Sequence, residues 1–144
     1  KEEIPIKEIR EFCSLYEQKN ALTLEIREAE EELKRRKLTK KQYRNLVDKN
    51  ESKLREIDEE IKPFKKELME PNQTFESMVK KLDVLEAERQ TVEDGLKLLE
   101  SRYKKGKLPS RSAYVKLTND FLKRRKKIDR TTSRFIQQLR SYLL

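Results

Sequence analysis

From Phe75 onward the apolar side chains recur at Phe75, Met78, Leu82, Leu85, Val92, Leu96, Leu99 and Tyr103, spaced alternately three and four, with Arg89 in the one polar slot. That spacing marks helices wound about an apolar seam. The first segment reads the same way at Phe12, Leu15, Leu22, Ile26, Ala29 and Leu33, with Lys19 in the slot. Further stripes run through Tyr43, Leu46, Leu54, Ile57, Ile61, Phe64 and Leu68, and through Tyr114, Leu117, Phe121, Ile128, Phe135 and Leu139. Arg125 and Thr132 fall within the last stripe, so its middle is polar; the expectation is that this stretch is exposed or faces an acidic partner.

The stripes superimpose in pairs. At an offset of 70, Ile9 falls on Val79, Phe12 on Leu82, Leu15 on Leu85, Lys19 on Arg89, Leu22 on Val92, Ile26 on Leu96 and Leu33 on Tyr103. At an offset of 71, Tyr43 falls on Tyr114, Leu46 on Leu117, Ile57 and Asp58 on Ile128 and Asp129, Phe64 on Phe135, and Leu68 on Leu139. One residue inserted in a turn accounts for the change, since Arg36-Lys37-Leu38-Thr39 aligns with Gly106-Lys107-Leu108-Pro109-Ser110. Each turn ends in a hydroxyl residue suited to capping the next helix. One helix-turn-helix unit is written twice.

Four helices follow, at about residues 6–36, 40–69, 73–105 and 110–142. Pro5 belongs at the first helix start, Pro63 should kink the second helix, and Glu70-Pro71-Asn72 divides the second from the third. Short turns between helices of this length make antiparallel hairpins. The expected fold is therefore all-α, with two duplicated hairpins, 1–70 and 71–144, set side by side as a four-helix bundle or extended into a coiled-coil rod.

Composition narrows the function. Charged residues make up 44% of the chain and apolar ones 34%, enough to cover one stripe of each helix and little more. The absence of histidine removes Ser-His and Cys-His catalytic pairs and imidazole metal sites. The single cysteine, Cys13, can form no internal disulfide, and beside Phe12 and Leu15 it reads as a small buried thiol. Gly95 stands alone inside a helix and Gly106 alone in a turn, so there is no phosphate-binding loop. Gly95 precedes Leu96 of the seam, where a missing side chain lets another helix approach. Glu30-Glu31-Glu32 and Glu59-Glu60 lie away from the seam and do not form an inward-facing metal set. The expectation is a protein that is not an enzyme, with no cofactor, metal or small-molecule substrate, in a cytoplasmic setting or at a membrane periphery.

Charge separates the copies. Residues 1–70 carry 18 basic and 18 acidic side chains, while residues 71–144 carry 18 and 9 and so hold the whole net charge of +9. The candidate partner- or anion-binding patch is Lys104, Lys105, Lys107, Arg111, Lys123, Arg124, Arg125, Lys126, Lys127, Arg130 and Arg134. The run from Lys123 to Lys127 surrounds its helix, so only part of it can meet one partner. Acidic protein, anionic lipid and nucleic acid all match such a patch, as does a merely solvated surface. No base-reading module accompanies it, and no aromatic interleaving for stacking on single strands.

The run Leu98-Leu99-Glu100-Ser101-Arg102-Tyr103-Lys104-Lys105-Gly106-Lys107-Leu108, then Tyr114, Leu117, Phe121-Leu122 and Arg124-Arg125-Lys126-Lys127, resembles the helical hairpins of the ESCRT-I core, the steadiness-box and Mod(r)-type subunits. The resemblance covers about residues 75–142. It implies a scaffold subunit of a membrane-remodelling and sorting complex, joined to other helical subunits or to itself. The expected function is thus a non-enzymatic scaffold or adaptor acting by helix-helix association. The alternative is a basic coiled-coil protein that binds DNA or RNA nonspecifically.

Overall fold

The computed structural model describes residues 4–70 and 73–144. It contains α1 (Ile6–Lys34), α2 (Lys40–Met69), α3 (Gln73–Lys104) and α4 (Arg111–Arg140), then a single 3-10 turn, Ser141–Leu143, with no strand among the described residues. The fold is all-α, and α1–α2 and α3–α4 are antiparallel hairpins. Pro5 is the N-cap of α1, and α2 continues through Pro63. Of the expected break at Glu70-Pro71-Asn72, Glu70 is the C-cap of α2, whereas Pro71 and Asn72 lie outside the described residues.

Both turns solve the same backbone problem in the same way. After α1 the Lys37 N–H donates to the Glu32 carbonyl at 2.8 Å and the Arg36 N–H to Leu33 at 3.1 Å. After α3 the Lys107 N–H donates to Arg102 at 2.9 Å and the Gly106 N–H to Tyr103 at 3.0 Å. This pair of bonds satisfies the orphan carbonyls at a helix end and requires a left-handed residue between them. Gly106 meets that demand at φ 68°, and Arg36 meets it at φ 59° with a side chain. The next helix is then capped by the expected hydroxyl. Thr39 Oγ1 accepts from the Gln42 N–H at 3.1 Å, and Ser110 Oγ from the Ala113 N–H at 3.1 Å. Gln42 Oε1 in turn accepts from the Thr39 N–H at 2.9 Å; Ala113, at the matching place, has no group to do so.

The copies bury several of the same positions, although Leu15 is buried where Leu85 is half-buried and Val92 is buried where Leu22 is half-buried. Ile9 and Val79 are fully buried, as are Phe12 and Leu82, and as are Leu68 and Leu139; Ile57 and Ile128 are buried too. Where Ile61 is buried in the first copy, Thr132 is buried in the second, its hydroxyl donating to the Ile128 carbonyl at 2.9 Å. A buried hydroxyl bonded within its own helix makes no demand on the facing helix. The polar middle of the α4 stripe is thus accommodated inside the hairpin, not left open for a partner.

Two compact units result. The first hairpin with Leu139–Leu144 forms one, and Thr74–Gln138 forms the other. Within the first unit the guanidinium of Arg140 forks the Glu17 carboxylate, Nη2 to Oε2 at 2.6 Å and Nε to Oε1. Leu139, fully buried, and Arg140 thus belong to the unit opposite to the one their sequence copy suggests.

Candidate partner-binding face

Charges inside the hairpins are matched. Lys19 Nζ lies 2.6 Å from Asp58 Oδ1, and Arg89 Nε lies 2.9 Å from Asp129 Oδ1. These are the two seam slots and the two aspartates that the repeat superimposes. Arg125 Nη1 reaches Glu93 Oε1 at 3.3 Å with its side chain only 11% exposed. Arg125 therefore leaves the candidate patch, because its acidic partner is on α3 of the same hairpin. Lys104 stays exposed at the turn but shares its charge with Glu100: its ammonium sits 2.9 Å from that carboxylate one turn back, and the hydrogen bond raises its pKa above the ordinary lysine value. Of the remaining candidates, Arg124 places its guanidinium 5.8 Å from the Phe121 ring, while Lys105, Lys107 and Arg111 are exposed around the turn.

The rest of the patch resolves into a face. Lys116, Lys123, Lys127, Arg130 and Arg134 are all exposed, and their spacings of seven, four, three and four keep them on one side of α4. That side is opposite Phe121, Arg125, Ile128, Thr132 and Phe135, and Lys126 stands at its edge. At about 1.5 Å per residue the line is about 27 Å long. None of its five cations forms an ion pair among the described residues. Lys116 stands apart from the contiguous basic run, and its place seven residues before Lys123 is the sequence signal that sets it on this face.

The seam carries two corrections. Leu117, expected inside, is 41% exposed, and Tyr103 is 37% exposed, although its ring stacks on Tyr114 with centroids 4.2 Å apart. Both sit near the turn, where two helices alone cannot cover them. Phe12, Leu15, Ile57, Leu82, Val92, Leu99, Ile128 and Leu139 are buried, whereas Leu22, Ile26, Leu33, Tyr43, Leu46, Phe64, Leu85, Leu96, Tyr114, Phe121 and Phe135 are half-buried. Gly95 admits the Phe121 ring, whose Cζ lies 2.7 Å from where a β-carbon would stand.

Among the described residues no group of acidic or cysteine side chains could hold a metal ion. No described helix is long and apolar enough to cross a membrane. No protein-family model matches the chain, and no curated protein is recognisably similar to it.

Proposed function

We propose that the chain is a non-catalytic helical scaffold or adaptor whose seams are used mainly within each hairpin and whose second hairpin meets an anionic partner along the outer face of α4. One comparison carries this reading. Where α4 has Lys123, Lys127, Arg130 and Arg134, α2 has Ser52, Glu56, Glu59 and Pro63 at the matching repeat positions. The first hairpin folds without cations there, so stability of the hairpin does not account for them. Unpaired like charges in a row repel one another, and an anion lying along them relieves that cost. The resemblance to ESCRT-I core hairpins implies the same kind of role, a structural subunit of a sorting assembly.

The test is to give α4 the first hairpin's residues, Lys123→Ser, Lys127→Glu and Arg130→Glu, in the full chain. The variant should melt like the parent and lose capture of one defined acidic protein from native lysate. Unchanged capture overturns the reading.

Nucleic acid is the second reading, favoured by the absence of apolar side chains along this line of cations. Its signature is salt: affinity for a DNA duplex should fall by about three decades between about 50 and 200 mM if about six phosphates are contacted.

A further inference from the structure

Near its turn the second hairpin has an apolar side that the first lacks. On α3, Gly95, Leu98 and Arg102 stand where α1 has Glu25, Glu28 and Glu32. On α4, Ala113 and Leu117 stand where α2 has Gln42 and Leu46. The spacing of three and four puts Gly95, Leu98 and Arg102 in one line along α3, and Ala113, Leu117 and Arg124 form the neighbouring line on α4. The Tyr103–Tyr114 stack fixes the antiparallel register, which sets Leu98 close to the level of Leu117. Leu98 is 53% exposed and Leu117 41%. The Arg125–Glu93 and Arg89–Asp129 pairs lace the opposite side of the hairpin and leave this one without such a covering.

We propose that this side docks an amphipathic helix that carries an apolar stripe between carboxylate-bearing flanks. The proposal deepens the adaptor reading and rests on it. Charge chooses the occupant: Arg102 stands toward the turn and Arg124 toward the far end, with Asp120 the one carboxylate on the α4 line. A helix laid along the hairpin can bury Leu98 and Leu117 against its own leucines and bring acids to both arginines. A lipid bilayer is the weaker match, because interfacial binding scales with buried apolar area and only Leu98 and Leu117 are offered here, on two different helices. A nucleic-acid backbone needs no leucine.

The probe is a fluorescent synthetic helix of about 20 residues with leucines at spacings of three and four and glutamates on both flanks. Controls are the same peptide with lysine flanks and with its leucines changed to serine. The full chain should bind the probe at least about ten-fold more tightly than either control. Leu98→Glu, which restores the first hairpin's residue, and Leu117→Ser should each cost about ten-fold or more with the melting curve unchanged. Arg102→Glu with Arg124→Glu should turn the preference toward the lysine-flanked peptide. No binding, equal binding of all three peptides, or indifference to Leu98→Glu overturns the proposal. So does a Leu98-dependent dimer in sedimentation, which makes the occupant a second copy, or Leu98-dependent binding to vesicles containing phosphatidylserine. Lys123→Ser, Lys127→Glu and Arg130→Glu together should leave the dependence of probe binding on Leu98 intact even where the lost charge lowers affinity, so a chain that passes the α4 test and ignores the probe sinks this proposal alone.

Discussion

Lys19 and Asp58 bridge α1 to α2 at 2.6 Å, at the one polar position of the α1 seam, and the second hairpin repeats the bridge with Arg89 and Asp129 at 2.9 Å. The cation is the more deeply covered partner each time, with side-chain exposures of 10% against 50% and of 16% against 37%. The Lys19 ammonium also lies 5.1 Å from the Tyr16 ring. A polar pair in an apolar seam contributes little net stability, yet it penalises any register that separates the two charges.

Removing the anion takes from a covered cation the carboxylate that faces it across the hairpin. Asp58→Asn and Asp129→Asn should each lower stability by about 1–2 kcal/mol, between the values for exposed and buried pairs. The two losses should add in urea titrations, because the pairs lie in separate units. A loss below about 0.3 kcal/mol for both would show that the slots are passive.

Gly95 and Phe121 occupy the layer that Glu25 and Asn50 occupy in the first hairpin, where the Asn50 amide donates to Glu25 Oε2 at 2.8 Å. A β-carbon at Gly95 meets the ring at 2.7 Å, so Gly95→Ala should cost about 1 kcal/mol net, overpacking outweighing the gain in helix propensity. Changing the layer as a pair, Gly95→Glu with Phe121→Asn, should be tolerated better than Gly95→Glu alone. Thermal melts of the three variants decide it.

The turns differ in one detail that stability can read. Arg36→Gly should gain about 0.5–1 kcal/mol, since an L side chain at φ 59° is strained, and Gly106→Ala should lose a similar amount. Thr39→Ala and Ser110→Ala should each lose about 1 kcal/mol, with Thr39 the costlier because its cap is reciprocal.

Burial pushes the Cys13 thiol up to about 11, while nearby Arg140 pulls it down and Glu17 pushes it up. An unfolded thiol ionises near about 8.5, so the folded chain prefers the neutral form. The stability this contributes is whole below about 8.5 and is lost as pH rises toward about 11, with a slope of at most about 1.4 kcal/mol per pH unit. Urea midpoints of the parent should fall across that window more steeply than those of Cys13→Ala.

Periodicity alone specified the four helices, both hairpins, the paired turns and the match between copies, because each is a local consequence of helix geometry and of where apolar groups must go. It also placed Lys19 over Arg89 and Asp58 over Asp129. That these partners meet was decided only by the packed hairpins, since contact across two helices depends on register and side-chain reach. Arg125 shows the difference most plainly. In sequence it is one of five consecutive basic residues, and in the fold it turns inward to Glu93 while Lys123 and Lys127 face out. Charge was legible in the chain, but which charges remain unspent depends on what the facing helix supplies. The exposure of Leu117 was hidden for the same reason: a heptad position is buried only where a neighbouring helix is wide enough to cover it, whereas Leu98 stands off the seam and its exposure follows from the pattern.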